Sequence, residues 1–202
     1  MKGKIKNFIP EGAWERVQSL LNHDKLEVKV RNKRKTKHGD YRPLPNGQHQ
    51  ITVNNNLNPY RFLITLIHEI AHFEAFMKYG HRIKPHGKEW KMTFQRLMLP
   101  FLNPDVFPEK LLPLLAQHFK NPKASSNTDA KLYYALSEFD APNNNSLIFQ
   151  LPENTQFIAQ NGKTYVKGQR KTKRFQCVEV STGRLWSFDP NAEVRSVEKK
   201  IT

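Results

Sequence analysis

The string His68-Glu69-Ile70-Ala71-His72 sets two imidazoles four residues apart with a carboxylate between them. On a helix, residues four apart fall within about 40° of each other, one turn along, so both rings can reach one metal ion. Imidazole nitrogens suit zinc, which they bind at about 2.0–2.1 Å. Glu69 is rotated off the histidine axis, toward a metal-bound water rather than the metal. Zinc lowers the pKa of such a water to about 7, and a nearby carboxylate can take its proton as it attacks a carbonyl. The pattern points to a zinc-dependent peptidase with His68 and His72 as ligands and Glu69 as general base. Without a metal, the same helix would bury three ionisable groups among apolar neighbours, which is costly unless they are paired or bound.

A catalytic zinc takes three protein ligands and keeps one position open. Four donors follow closely: Glu74, His81, His86 and Glu89. Glu74 lies about 160° from His72 around the helix and points elsewhere. His81 comes directly after Gly80, which constrains its reach. His86 stands in Lys84-Pro85-His86-Gly87-Lys88-Glu89-Trp90, where Pro and Gly can set a loop that returns a side chain to the first helix. His86 is the preferred third ligand and His81 the alternative.

The flanks supply the elements that must hold these residues. Asn58-Pro59 reads as an N-cap and first helical position, with Gly80 just past the far end. Arg61, Thr65, Ala75 and Tyr79 share the histidine face, the small pair leaving room for an ion and a substrate. Leu63, Leu66, Ile70, Phe73 and Met77 lie opposite and are expected in the core. Residues 10–21 read as a short amphipathic helix and 25–31 as a half-buried strand. Residues 40–54 read as a hairpin turning at Asn46-Gly47. Gln50 to Asn54 is expected at a sheet edge beside the metal, open to an extended substrate. Helices are expected over about 88–99, ended by Pro100, and over 109–119, weakened by Pro113. Composition shifts near residue 120 to polar and turn residues, with a possible helix in TDAKLYYALSEF. From Ser146 onward the pattern turns to short strands, about five, with hairpin signals at Asn161-Gly162 and Thr182-Gly183.

The formal charge is +15. Such a surplus fits a polyanionic partner, most often nucleic acid. Two runs carry it most densely. The first includes Lys33, Arg34, Lys35 and Lys37. The second includes Lys167, Arg170, Lys171, Lys173 and Arg174, interleaved with Tyr165 and Phe175 that could stack on bases. Cys177 is the single cysteine, so no intrachain disulfide is possible. No segment has the length and apolarity of a signal peptide or a membrane span. The expectation is a soluble, cytoplasmic protein.

These residues resemble the SprT-like family of zinc peptidases. The likeness rests on His68, Glu69 and His72, on His86-Gly87-Lys88-Glu89-Trp90 following them, and on ITVNNNL before the helix. It implies an α+β fold in three parts. Residues 1–120 would form a minimal zincin-like metallopeptidase domain, helices plus a small, mostly antiparallel sheet. Residues 121–145 would form a linker with a possible helix. Residues 146–202 would form a small all-β, ribbon-like module. Many family members hold such a module with four cysteines and zinc. One cysteine cannot do so, so aromatic packing around Phe157, Tyr165, Phe175, Trp186 and Phe188 is expected instead, with Cys177 a small core residue. Eukaryotic relatives digest proteins crosslinked to DNA, which implies a substrate class.

Two other functions fit the same residues. One is a nucleic-acid-binding protein whose zinc site is structural or idle, although a structural site has no need of Glu69. The other is a zinc hydrolase acting on a non-peptide substrate, because the water chemistry is the same.

Overall fold

Asn58 opens the longest helix, α2 (Pro59–Tyr79), by accepting a hydrogen bond from the Arg61 backbone at 2.9 Å. Pro59 occupies the first turn, where its missing N–H costs nothing. Gly80, at φ 78°, closes the far end. Eleven residues of α2 are buried, on more than one face, so the helix runs through the interior. In this computed structural model residues 2–34, 36–122, 129–140 and 145–197 are described. The chain divides into two units, Met1–Ala141 and Pro142–Thr202.

In the first unit, α1 (Trp14–Leu21) buries Val17 and Leu21, one turn apart. The strands β1 (Leu26–Arg31), β2 (Gly39–Pro43) and β3 (His49–Asn54) form a sheet in the order β1-β3-β2. The sheet was expected to be mostly antiparallel. It has one ladder of each kind: β1 runs parallel to β3, and β2 antiparallel to it. The β2–β3 connection is the expected hairpin, with Gly47 at φ 74°. The expectation of an edge at Gln50 to Asn54 is corrected. This strand is central, and all six of its residues are buried. Alternation identified β1 as half-buried but carried no information on its partner, and its parallel pairing with β3 is a non-local contact. The edge strand is β2.

The chain passes the end of β3 on its way from β1 to β2. Asn54 fastens it, its N–H bonding to the His38 carbonyl at 2.9 Å and its side chain to the Lys37 carbonyl at 2.8 Å. Helix α3 (Lys88–Met98) buries Trp90, Phe94, Leu97 and Met98. A 3-10 turn over Glu109–Leu111 leads into α4 (Leu112–Phe119). Pro113 lies in the first turn of α4, which it can occupy without breaking a bond.

Residues 121–145 were expected to form a linker with a possible helix. They contain α5 (Ala130–Ser137), whose Leu132 and Leu136 are fully buried in the first unit's core. Buried polar groups join α5 to α2. Asn58 donates to the Leu136 carbonyl at 2.8 Å and to Asp140 at 2.6 Å. Arg61 donates to the Tyr133 carbonyl at 2.8 Å and lies over the Tyr133 ring. The apolar spacing of this short helix fits a tether as well as a docked element, and only its contacts distinguish them.

The second unit is a sheet of six strands rather than about five. They are β4 (Asn145–Leu147), β5 (Gln156–Ile158), β6 (Thr164–Lys171), β7 (Arg174–Glu179), β8 (Leu185–Phe188) and β9 (Glu193–Ser196). Their order is β4-β9-β5-β6-β7-β8, with every ladder antiparallel. Its core holds Ile148, Leu151, Phe157, Tyr165, Phe175, Cys177 and Val194, with Phe188 packed against it. Trp186, expected to help hold this core, is 46% exposed. No helix among the described residues is long and apolar enough to cross a membrane.

Candidate metal centre

His68 and His72 project from the middle of α2, and His86 comes to them from the turn before α3. Their Nε2 atoms form a triangle with sides of 3.0, 3.1 and 3.2 Å. Among the described residues this is the one group of three or more His, Cys, Asp or Glu placed to hold a metal ion. Burial pushes the His68 imidazolium down to about 2, helped by repulsion from His72 and His86. Burial lowers His72 to about 4, and lowers His86 as well. All three rings are therefore neutral near pH 7, each with one bare lone pair. Three such nitrogens cannot satisfy one another, because a ring N–H shared across one side leaves lone pairs opposed across the others. A cation removes the conflict. The spacing also suits one, since two ligands of a tetrahedral zinc stand about 3.4 Å apart.

The turn that delivers His86 is specific. Gly87 N–H bonds to the Lys84 carbonyl at 2.9 Å, Pro85 takes the second position, and His86 takes the third at φ 57°. This is the outline of a type II turn, whose third residue is ordinarily Gly or Asn. A histidine there bears a backbone cost of roughly 1–2 kcal/mol, and such strain collects at functional sites. Gly87 is required as well, because a Cβ would approach the Lys84 carbonyl oxygen to 2.9 Å. His81 is exposed and lines the surrounding cleft, outside the triangle. Glu74 points away and pairs with Arg96 on α3.

Trp90 is the shared support of the three ligand rings. Its indole lies 4.6 Å from His68, 5.2 Å from His72 and 4.6 Å from His86, between ring centres. It is fully buried and donates to the His68 carbonyl at 3.4 Å. On the other side of His72 the Tyr41 ring stacks at 6.2 Å, its hydroxyl bonded to His49 Nδ1 at 2.9 Å. The sequence offered Trp90 only as part of a resemblance, and nothing in it singled out Tyr41.

Glu69 is 7% exposed and faces β2. Burial, seconded by the Asp40 charge, pushes its carboxyl up to about 8, while Arg34 and Lys37 pull the other way. Gly39 must be glycine, because a Cβ would stand 2.5 Å from the Glu69 carboxylate and 2.7 Å from the Thr65 methyl. The cleft around these groups has a volume of about 870 Å³. Thr65 lines it, as its place on the histidine face implies. Arg61 instead joins the α5 junction, and Ala75 is fully buried. On the opposite face Leu63, Leu66, Ile70 and Phe73 are buried, but Met77 is 44% exposed.

A sequence model of the SprT-like family matches residues 11–107. This segment is similar to a SprT-like domain. The match covers α1, the three-stranded sheet, α2, the His86 turn and α3. It is compatible with metallopeptidase chemistry. No curated protein and no solved structure matches the chain.

The two basic runs fare differently. Lys33 is exposed, and Lys35 lies outside the described residues. Lys37 pairs with Asp40 at 2.8 Å. Arg34 bonds to Asn54 Oδ1 at 2.8 Å and Thr52 Oγ1 at 2.9 Å, and both Arg34 and Lys37 line the SprT-like domain's cleft. In the second run Lys167 is buried, donates to the Leu151 carbonyl and lies over the Phe175 ring at 4.2 Å. It has no reach to a phosphate. Tyr165 and Phe175 are buried too, so neither can stack on a base. Arg170, Lys171, Lys173 and Arg174 are exposed around the β6–β7 turn.

Proposed function

We propose that the SprT-like domain is a zinc-dependent peptidase. The observation that carries this is the triangle of neutral histidine nitrogens with Glu69 beside it in an open cleft. His68, His72 and His86 would hold the ion through Nε2. Bound there, zinc would supply a water acidic enough to ionise near neutral pH. With the ion's charge offsetting the burial that raises its pKa, Glu69 would be ionised, and its carboxylate would take that water's proton and pass it to the departing amine nitrogen. Its burial favours the protonated form and so suits it to hold the proton between the two transfers. Trp90 and Tyr41 keep the ligand rings in place. The outer strand β2, whose Gly39, Asp40 and Tyr41 line the cleft, could receive an extended polypeptide along its edge, the Tyr41 N–H being held by Glu69. On this reading the three-stranded sheet and α2 form a minimal zincin-like domain.

Nucleic acid enters as a recruiting partner. Arg170, Lys171, Lys173 and Arg174 cluster at one exposed hairpin end, where phosphates could neutralise them. That would direct the peptidase to proteins held on DNA. The deciding experiment compares the zinc-loaded protein with Glu69→Gln on an unfolded protein substrate, with and without DNA. Equal cleavage by both proteins would refute the assigned chemistry. Absence of any salt-dependent DNA binding would remove the recruitment and leave the peptidase.

A further inference from the structure

The first basic run does not form a separate patch. By crossing the end of β3, the segment carrying Arg34, Thr36, Lys37 and His38 becomes one wall of the cleft that holds the histidine triangle. Another part of the lining, after α2, contributes His81 and Lys84. Acidic lining residues are two, Asp40 and Glu69. Asp40 is taken up by Lys37, and Glu69 is buried against β2.

Arg34 forms no ion pair among the described residues, although its charge acts on Glu69. It bonds to the Asn54 amide oxygen, the Thr52 hydroxyl and the carbonyls of Thr52 and His38. Every one of these acceptors is neutral. The guanidinium is fixed in place, yet its charge is not cancelled. Lys84 is exposed, and no ion pair engages it among the described residues. A positioned and uncompensated cation in a partly desolvated cleft attracts anionic groups and repels cationic ones.

We propose that the cleft selects polypeptides with acidic side chains flanking the bond to be cut, and that Arg34 and Lys84 are the selecting residues. The inference rests on the peptidase reading and adds its substrate class.

The test uses one neutral peptide core flanked by Asp and Glu or by Lys and Arg. Binding of each labelled peptide to the zinc-free full-length protein is measured at low salt, so that carboxylates cannot be captured by the metal. The acidic peptide is expected to bind at least about tenfold more tightly, a preference that fades with added salt. Lys84→Gln should reduce that preference about two- to fivefold, and Arg34→Gln by more. Arg34→Lys should restore part of it, which separates lost charge from a disturbed segment. Neutralising Arg170, Lys171, Lys173 and Arg174 should leave the preference in place. The kcat/KM ratio for the two peptides, measured with the zinc-loaded protein, should follow the same order. Equal binding of the two peptides overturns the proposal, as does a preference removed by the hairpin changes and untouched at Lys84 and Arg34. An oligonucleotide that displaces the acidic peptide, and whose own affinity falls in Lys84→Gln, overturns it in favour of a nucleic-acid groove. Hydrolysis without charge preference sinks this inference alone. Charge-selective binding with no hydrolysis sinks the peptidase reading and sustains the preference.

Discussion

The polar cluster at α2 differs from the buried polar groups of the second unit. In the second, Lys167 donates to the Leu151 carbonyl, and the buried Glu179 receives hydrogen bonds from Lys163, Ser181 and Trp186. Each group finds a partner within its own unit. In the first, three histidine nitrogens converge without being able to satisfy one another, and a carboxyl is buried next to them. The contrast separates a unit whose buried polar groups pair among themselves from one holding a histidine cluster that could bind a metal ion. Stability of the first unit should be coupled to metal, and that of the second should not.

The sharpest test of that contrast is catalytic. Glu69→Gln should retain zinc, because Glu69 is not in the triangle, while hydrolysis of an unfolded protein falls roughly 10²–10⁴-fold. Metal content by elemental analysis and initial rates measure the two arms separately. Loss of zinc in this variant would mean that the carboxylate is a ligand.

Chelation comes next in size. Removing zinc held at about a thousand times its dissociation constant should cost the first unit about 4 kcal/mol. Hydrogen exchange should show faster opening in α2 and α3 and unchanged protection in β5, β6 and β7. Equal loosening of both units would break the contrast.

Acid gives a third effect, in the metal-free protein. His72 titrates near 4 when folded and His68 near 2, below the ordinary histidine value of 6.5. The unfolded chain therefore binds more protons below pH 6.5. Stability from these two groups is present above pH 6.5 and is lost as pH falls from there toward 4 and below. Chemical denaturation at pH 7 and pH 5 should show the loss, and His68→Gln with His72→Gln should reduce it. A loss of unchanged size in that double variant would place its cause elsewhere.

The His86 turn predicts a split between binding and stability. His86→Gly should weaken zinc binding severely, yet leave the metal-free fold as stable as the parent or about 1 kcal/mol more so, since glycine accepts positive φ without strain. His81→Ala should retain the metal. Full zinc affinity in His86→Gly would remove His86 from the ligand set.

The smallest effects belong to the second unit. Lys167→Met should change stability by about 1 kcal/mol or less, because an apolar chain of similar volume replaces a buried cation, and should not alter the salt dependence of DNA binding. Neutralising Arg170, Lys171, Lys173 and Arg174 should flatten that dependence by about 0.9 in log–log slope for each phosphate that the hairpin no longer neutralises. A flatter slope in Lys167→Met would contradict its burial.

Much of the centre was legible because its geometry is local. Four-residue spacing sets His68 and His72 on one face of any helix, and Asn58-Pro59 and Gly80 mark that helix's ends. The Pro85–Gly87 turn made His86 the preferred third donor, and its φ of 57° agrees with the sharp return the turn makes. Where the partners are distant in sequence, the same reasoning lost its hold. Alternation identified strands but not their order, so β3 was expected at an edge it does not occupy. The apolar spacing of α5 could not reveal its docking on Asn58 and Arg61, more than seventy residues away.

Residue types and their short spacing thus determined which two imidazoles share a face, the carboxyl beside them and the helix that carries all three, because side-chain direction on a helix follows from backbone geometry alone. Charge was different. Sequence placed Arg34 and Lys167 in two similar basic runs, while the fold drew one into the wall of the cleft and buried the other over an aromatic ring. Strand order and desolvation decide where a cation ends up. Both are properties of the assembled chain, since they depend on which distant segments exclude water from it.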